Sequence, residues 1–158
     1  MHTALDVALR YLAARPRSEC EVRRRLLRGG AFSSDVIEAT LARLREDGLL
    51  DDRAFASYWL EQRRAFRPRG ARLLRAELRQ HGISSAVAAE TTAAFGTAED
   101  DAYRAAHKRA EQLAAAGADE RTFRTRVSQL LARRGFDWDT IAPVVERLWD
   151  ELRRALSS

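Results

Sequence analysis

The stretch RSECEVRRRLLRGGAFSSDVIEATLARL, residues 17–44, occurs in altered form twice more in the 158-residue chain. Residues 69–95 read RGARLLRAELRQHGISSAVAAETTAAF, and residues 122–148 read TFRTRVSQLLARRGFDWDTIAPVVERL. Val22, Leu74 and Val127 coincide, as do Leu26, Leu78 and Leu131, and then Gly30, Gly82 and Gly135. The glycines lie 52 and 53 residues apart. A fixed period of this size marks a repeat architecture. Each copy reads as helix, glycine turn, helix. A chain leaving a helix commonly needs a left-handed residue, and glycine takes that conformation at no steric cost. The apolar residue that follows (Phe32, Ile83, Phe136) can fold back onto the helix just left. The first copy carries one extra residue there, in Gly29-Gly30-Ala31-Phe32.

Working outward, each copy is preceded by another helical stretch, over 3–15, 52–65 and 99–116. Leu5, Leu9 and Leu12 recur at helical spacing, as do Ile37, Leu41 and Leu44. No alternating strand pattern persists. Ser18, Ser34 and Ser84 or Ser85 are helix-start candidates, Gly48 is a stop, and Asp51 and Asp52 are placed to cap the next helix. The expected fold is all-α, with three tandem three-helix repeats at 1–50, 51–96 and 97–158. A unit of about fifty residues has a thin core. Neighbouring repeats are therefore expected to share packing, in an elongated, curved array.

The net charge is +5 and the isoelectric point about 10.3, which favours anionic partners. Arg supplies 27 of the 28 basic residues, a bias that genome composition alone can produce, so the distribution matters more than the total. Residues 97–158 hold eleven basic and eleven acidic side chains, so the excess lies in the first two repeats. One set is Arg63, Arg64, Arg67, Arg69, Arg72, Arg75 and Arg79, against Glu77 alone. Arg72, Arg75 and Arg79 are spaced to share a helix face. The second set is Arg23, Arg24, Arg25 and Arg28, in which Arg24 and Arg28 share a face. Guanidinium clusters suit phosphates or carboxylates. The third repeat reads as a neutral packing or protein-contact unit.

Other chemistry is poorly supported. His2, His81 and His107 are isolated, and no metal-ligand spacing, P-loop or nucleophile motif occurs. Neither a cofactor nor a catalytic set is expected, and the chain reads as a non-enzyme. Cys20 reads as a small packed or partly exposed thiol. Phe55, Tyr58, Trp59, Trp138 and Trp149 read as core, and Phe66, set among arginines, as the aromatic suited to a binding surface. No apolar run is long enough to span a membrane and the N-terminus is already an amphipathic helix, so a soluble cytoplasmic protein is expected.

The stretches RSECEVRRRLL, GLLDDRAFASYWLEQR, RPRGARLLRAELRQHGI and LLARRGFDWDTIAPVVERLW are similar to those of the RecX family, bacterial regulators of the RecA recombinase. The resemblance runs from about Ala4 to Trp149, and GLLDDRAFASYWLEQR followed by RPRG is its most specific part. It implies tandem three-helix repeats. It also implies binding of a monomer to RecA and to the RecA–single-stranded DNA filament, with inhibition of ATPase, strand exchange and filament extension. Weak, salt-dependent affinity for DNA is implied too. Two other readings of the same residues stay open: a general DNA-binding helical repeat protein without RecA specificity, and a helical scaffold for acidic proteins.

Overall fold

A computed structural model describes residues 2–66, 68–95 and 98–157. Among these there are nine α-helices and no strand. The first repeat holds α1 (Ala4–Ala14), α2 (Glu19–Leu27) and α3 (Ser34–Glu46), the second α4 (Asp52–Phe66), α5 (Ala71–Gln80) and α6 (Ser85–Ala94). The third holds α7 (Ala98–Ala115), α8 (Glu120–Arg133) and α9 (Trp138–Ser157). A short 3-10 turn, Arg28–Gly30, follows α2. The fold is therefore tandem and all-helical, as the periodicity predicts.

Local sequence explains the boundaries. Thr3 and Asp6 form a reciprocal capping box at the start of α1. The Ser18 hydroxyl accepts the Glu21 N–H at the start of α2, and the Ser84 hydroxyl accepts the Val87 N–H at the start of α6. At α3 the cap is Ser33, which accepts the Val36 N–H, rather than Ser34; extended backbone at Ser33 leaves Ser34 as the first helical residue. The two aspartates divide their work. Asp51 accepts the Arg53 and Ala54 N–H groups at the start of α4, whereas Asp52 accepts the Glu19 N–H at the start of α2. Partial burial there raises the Asp52 carboxyl above its ordinary value.

The glycine turns close as expected. The N–H of Ile83 returns to the carbonyl of Leu78, and that of Phe136 to Leu131. Both apolar residues are buried. In the first repeat Phe32 is half-buried after two consecutive left-handed glycines, Gly29 and Gly30.

The chain divides into two compact units whose limits fall inside α4, α5 and α6. Unit 1 comprises residues 1–59 and 77–91, and unit 2 residues 60–76 and 92–158. In unit 1, Ala4, Ala8, Val22, Leu26, Ile37 and Leu41 form the centre of a core drawn from all three helices of the first repeat. The alanines of α1 let α2 and α3 approach closely. In unit 2, Ala102, Ala106 and Ala110 serve the same end on α7, facing Phe123, Val127 and Leu131 of α8 and Ile141, Val145 and Leu148 of α9. No helix among the described residues is long and apolar enough to cross a membrane.

Candidate functional site

The sequence-predicted arginines fall into two groups according to what holds them. Several are engaged internally. Arg23 forms a two-pronged pair with Glu38 at 3.1 and 3.2 Å, and that hydrogen bond holds the Glu38 carboxyl below its ordinary value. Arg64 donates to Asp101 and to the carbonyl of Phe95, and its guanidinium lies 4.0 Å from the Phe95 ring centre. Arg72 donates to the Ala132 carbonyl at 3.0 Å. Arg63 and Arg69 are half-buried and also engaged. Arg67 lies outside the described residues.

The second group faces solvent. Arg24 and Arg28 are exposed on and just after α2, and Arg79 is exposed near the end of α5. None of their three side chains makes an internal hydrogen bond or ion pair among the described residues. Arg25 and Arg75 are half-buried. Unit 1 thus holds Arg23, Arg24, Arg25, Arg28 and Arg79, and unit 2 holds Arg63, Arg64, Arg69, Arg72 and Arg75. An exposed, unpaired guanidinium can meet an anion without first losing a partner. A paired one must exchange partners, which cancels most of the gain.

The isolated histidine and cysteine acquire structural roles. His81 lies 4.3 Å from the Trp59 ring and 5.4 Å from the Phe55 ring, and its Nδ1–H donates to Glu21 Oε1 at 3.0 Å. Glu21 is buried and is also paired with Arg15 at 2.8 Å. Ser18, fully buried, donates its hydroxyl to the His81 carbonyl. Cys20 is half-buried against Gly82. Sequence spacing alone shows His81 only as an isolated histidine beside a glycine turn. Its side-chain role depends on Phe55 and Trp59 and on Glu21, which lies 60 residues away.

Among the aromatics, Phe55 is buried, Tyr58 and Trp59 are half-buried, and Trp149 packs on Phe123. Trp138 departs from the expected core position: it is 66% exposed, because it opens α9 before that helix meets its neighbours. Phe66 is 82% exposed. No group of three or more His, Cys, Asp or Glu side chains able to hold a metal ion occurs among the described residues.

One basic surface was not visible in regional charge sums. Lys108, Arg109, Arg121, Arg126, Arg133 and Arg134 line an open groove of about 830 Å³ between α7 and α8. Sorting the charges of the third repeat by helix face, rather than by window, is the signal that finds it.

The fold and these surfaces define a class, the tandem three-helix repeat proteins with basic faces. Comparison with known proteins narrows this. Residues 4–44 match the first three-helix domain of RecX and residues 51–91 the second. The regulatory protein RecX of Prosthecochloris aestuarii is 34% identical over 145 residues, covering 92% of this chain and 93% of that protein. RecX of Mycobacterium avium is 35% identical over 144 residues, covering 90% and 82%. The crystal structure of RecX from Lactobacillus salivarius shares the fold with a TM-score of 0.81 at 22% identity, over 92% of this chain and 94% of that one. The chain belongs to the RecX family of regulatory proteins.

Proposed function

We propose that this chain binds the RecA–single-stranded DNA filament and restrains RecA, lowering ATP hydrolysis, strand exchange and filament extension. The observation that carries the reading is the match along nearly the whole chain to curated RecX regulatory proteins. The physical support is the set of exposed arginines without internal partners, Arg24, Arg28 and Arg79. A repeated protein can engage a repeated filament at several weak points, and linked weak contacts give a large effective affinity. The contacts require no cofactor and no catalytic step. The setting implied is the bacterial cytoplasm, in recombination, DNA repair and the SOS response.

The test is RecA-catalysed ATP hydrolysis on single-stranded DNA, with and without the protein, at two salt concentrations. The expected result is inhibition at amounts stoichiometric with RecA, weakened by salt. Unchanged hydrolysis at those amounts would overturn the proposal. Arg24→Glu/Arg28→Glu/Arg79→Glu is expected to raise the half-inhibitory concentration on the order of tenfold or more with helicity retained, since each reversal replaces an attraction by a repulsion.

The same unpaired guanidinium groups suit bare DNA, which supports a second reading as a general DNA-binding repeat protein. A steep salt dependence on naked DNA, with no preference for RecA-coated DNA, would favour it.

A further inference from the structure

The balance of eleven basic and eleven acidic side chains over residues 97–158 conceals a separation of charge. The groove between α7 and α8 is lined by six cationic side chains and by no carboxylate. Three acids of the same region are engaged elsewhere: Asp101 by Arg64 and Arg104, Glu120 by Arg124, Glu151 by Arg147. In contrast, the side chains of Lys108, Arg109, Arg121, Arg126 and Arg133 make no hydrogen bond or ion pair among the described residues. Five unpaired cations along one concavity repel one another and focus a positive potential into it. Folding alone gains nothing from that arrangement, whereas a bound polyanion would relieve it.

We propose that the α7–α8 groove is a binding site for the phosphodiester backbone of nucleic acid, used without regard to sequence. Three features select this ligand. The first is register. Arg121, Thr125, Gln129 and Arg133 follow one another at four-residue intervals along α8 and line the groove. They form a ridge of about 18 Å at 1.5 Å per residue. One strand of duplex advances about 3.4 Å along the axis per phosphate and winds as it advances, so a straight ridge of this length spans a few successive phosphates. The second is the mixture of groups, because Thr and Gln between the cations donate hydrogen bonds to phosphate oxygens without adding charge. The third is what the lining lacks. It holds no aromatic ring on which bases could stack, and its apolar side chains are only Ala105 and Leu130. An acidic protein helix would need apolar anchors for affinity, and the groove provides almost none.

The site lies in the repeat that reads as neutral, and it stands independently of the RecA reading. Its test therefore contains no RecA. The full-length chain is titrated against fluorescein-labelled oligonucleotides, single-stranded and duplex, of two unrelated sequences, with anisotropy followed over about 50–200 mM salt. The variant is Lys108→Gln/Arg109→Gln/Arg126→Gln/Arg133→Gln. The control, Arg10→Gln/Arg43→Gln/Arg153→Gln/Arg154→Gln, removes the same charge at exposed positions outside the groove.

The groove variant is expected to reduce the log–log salt slope by roughly three to four, at about 0.9 per lost phosphate contact, for both sequences alike. The control should change it by less than about one contact's worth. Equal losses in the two variants, or an unchanged slope in the groove variant, would overturn the assignment. So would displacement of polyglutamate, with oligonucleotide binding intact. Single Arg126→Gln and Arg133→Gln variants, each expected to lower the slope by about one, keep the test decisive if the fourfold variant misfolds.

Discussion

Two junctions between successive repeats occupy equivalent positions and are closed by different chemistry. Within unit 1, Ser18 opens α2 and donates its hydroxyl to the carbonyl of His81, the residue before Gly82. Within unit 2, Gly70 precedes α5 and donates its backbone N–H, at 2.7 Å, to the carbonyl of Arg134, the residue before Gly135. The repeat alignment makes Ser18 and Gly70 equivalent, and likewise His81 and Arg134. The neighbours differ in the same way. Glu21 meets the His81 side chain, where its equivalent Leu73 packs on Gly135. Cys20 abuts Gly82, where its equivalent Arg72 reaches the Ala132 carbonyl. One contact geometry is thus conserved between the copies, while one is built by side chains and the other by close backbone approach. What persists across the repeats is the docking of a helix start against a glycine turn.

That comparison can be broken most severely at Gly82. Its φ of +81° is left-handed, and a Cβ there would sit 2.2 Å from the Cys20 Cβ. Gly82→Ala should cost about 3 kcal/mol in chemical denaturation, combining backbone strain of about 1–2 with overpacking of about 1–3 kcal/mol. In Gly82→Ala/Cys20→Gly the collision disappears and the strain remains, so roughly half the loss should return. No recovery would show that the contact is not steric.

Gly70→Ala comes next. Its Cβ would lie 2.1 Å from the Gly135 carbonyl carbon. The expected loss is about 2 kcal/mol from overpacking. No side-chain deletion should restore it, because the colliding atoms are backbone. Hydrogen exchange at Phe136 is a local readout, and protection unchanged from the parent would contradict the close approach.

Ser18→Ala is the smallest of the three. It removes the cap on the Glu21 N–H and the donor to the His81 carbonyl, for about 1–2 kcal/mol. Thermal unfolding measures it. Restoration by Thr but not by Gly would separate the hydroxyl from mere backbone room.

The surfaces divide along a related line. Arg23, Arg64 and Arg72 count toward a basic cluster in the sequence, yet each has an internal acceptor in the fold. Arg24, Arg28 and Arg79 retain the freedom that a cluster reading assigns to all. The third repeat runs the other way: its charges cancel in sum and separate in space. A window along the chain adds charges that a helix places on opposite faces, about 100° apart per residue, so a sum measures composition and not the field at a surface.

The sequence by itself determined the all-helical class, the threefold repetition, the glycine turns with Ile83 and Phe136 folded back, and the family. All of these follow from local periodicity, from the conformational demand at a helix end, or from residue-by-residue similarity. Only the tertiary structure decided the rest. It moved the cap to Ser33, turned Asp52 toward α2, exposed Trp138, and gave His81 its place among Glu21, Phe55 and Trp59. It also selected which arginines stay free and assembled the α7–α8 groove. Each of these depends on which groups from distant parts of the chain come within a few ångströms, and hydrogen bonds, ion pairs and steric exclusion are decided at that range.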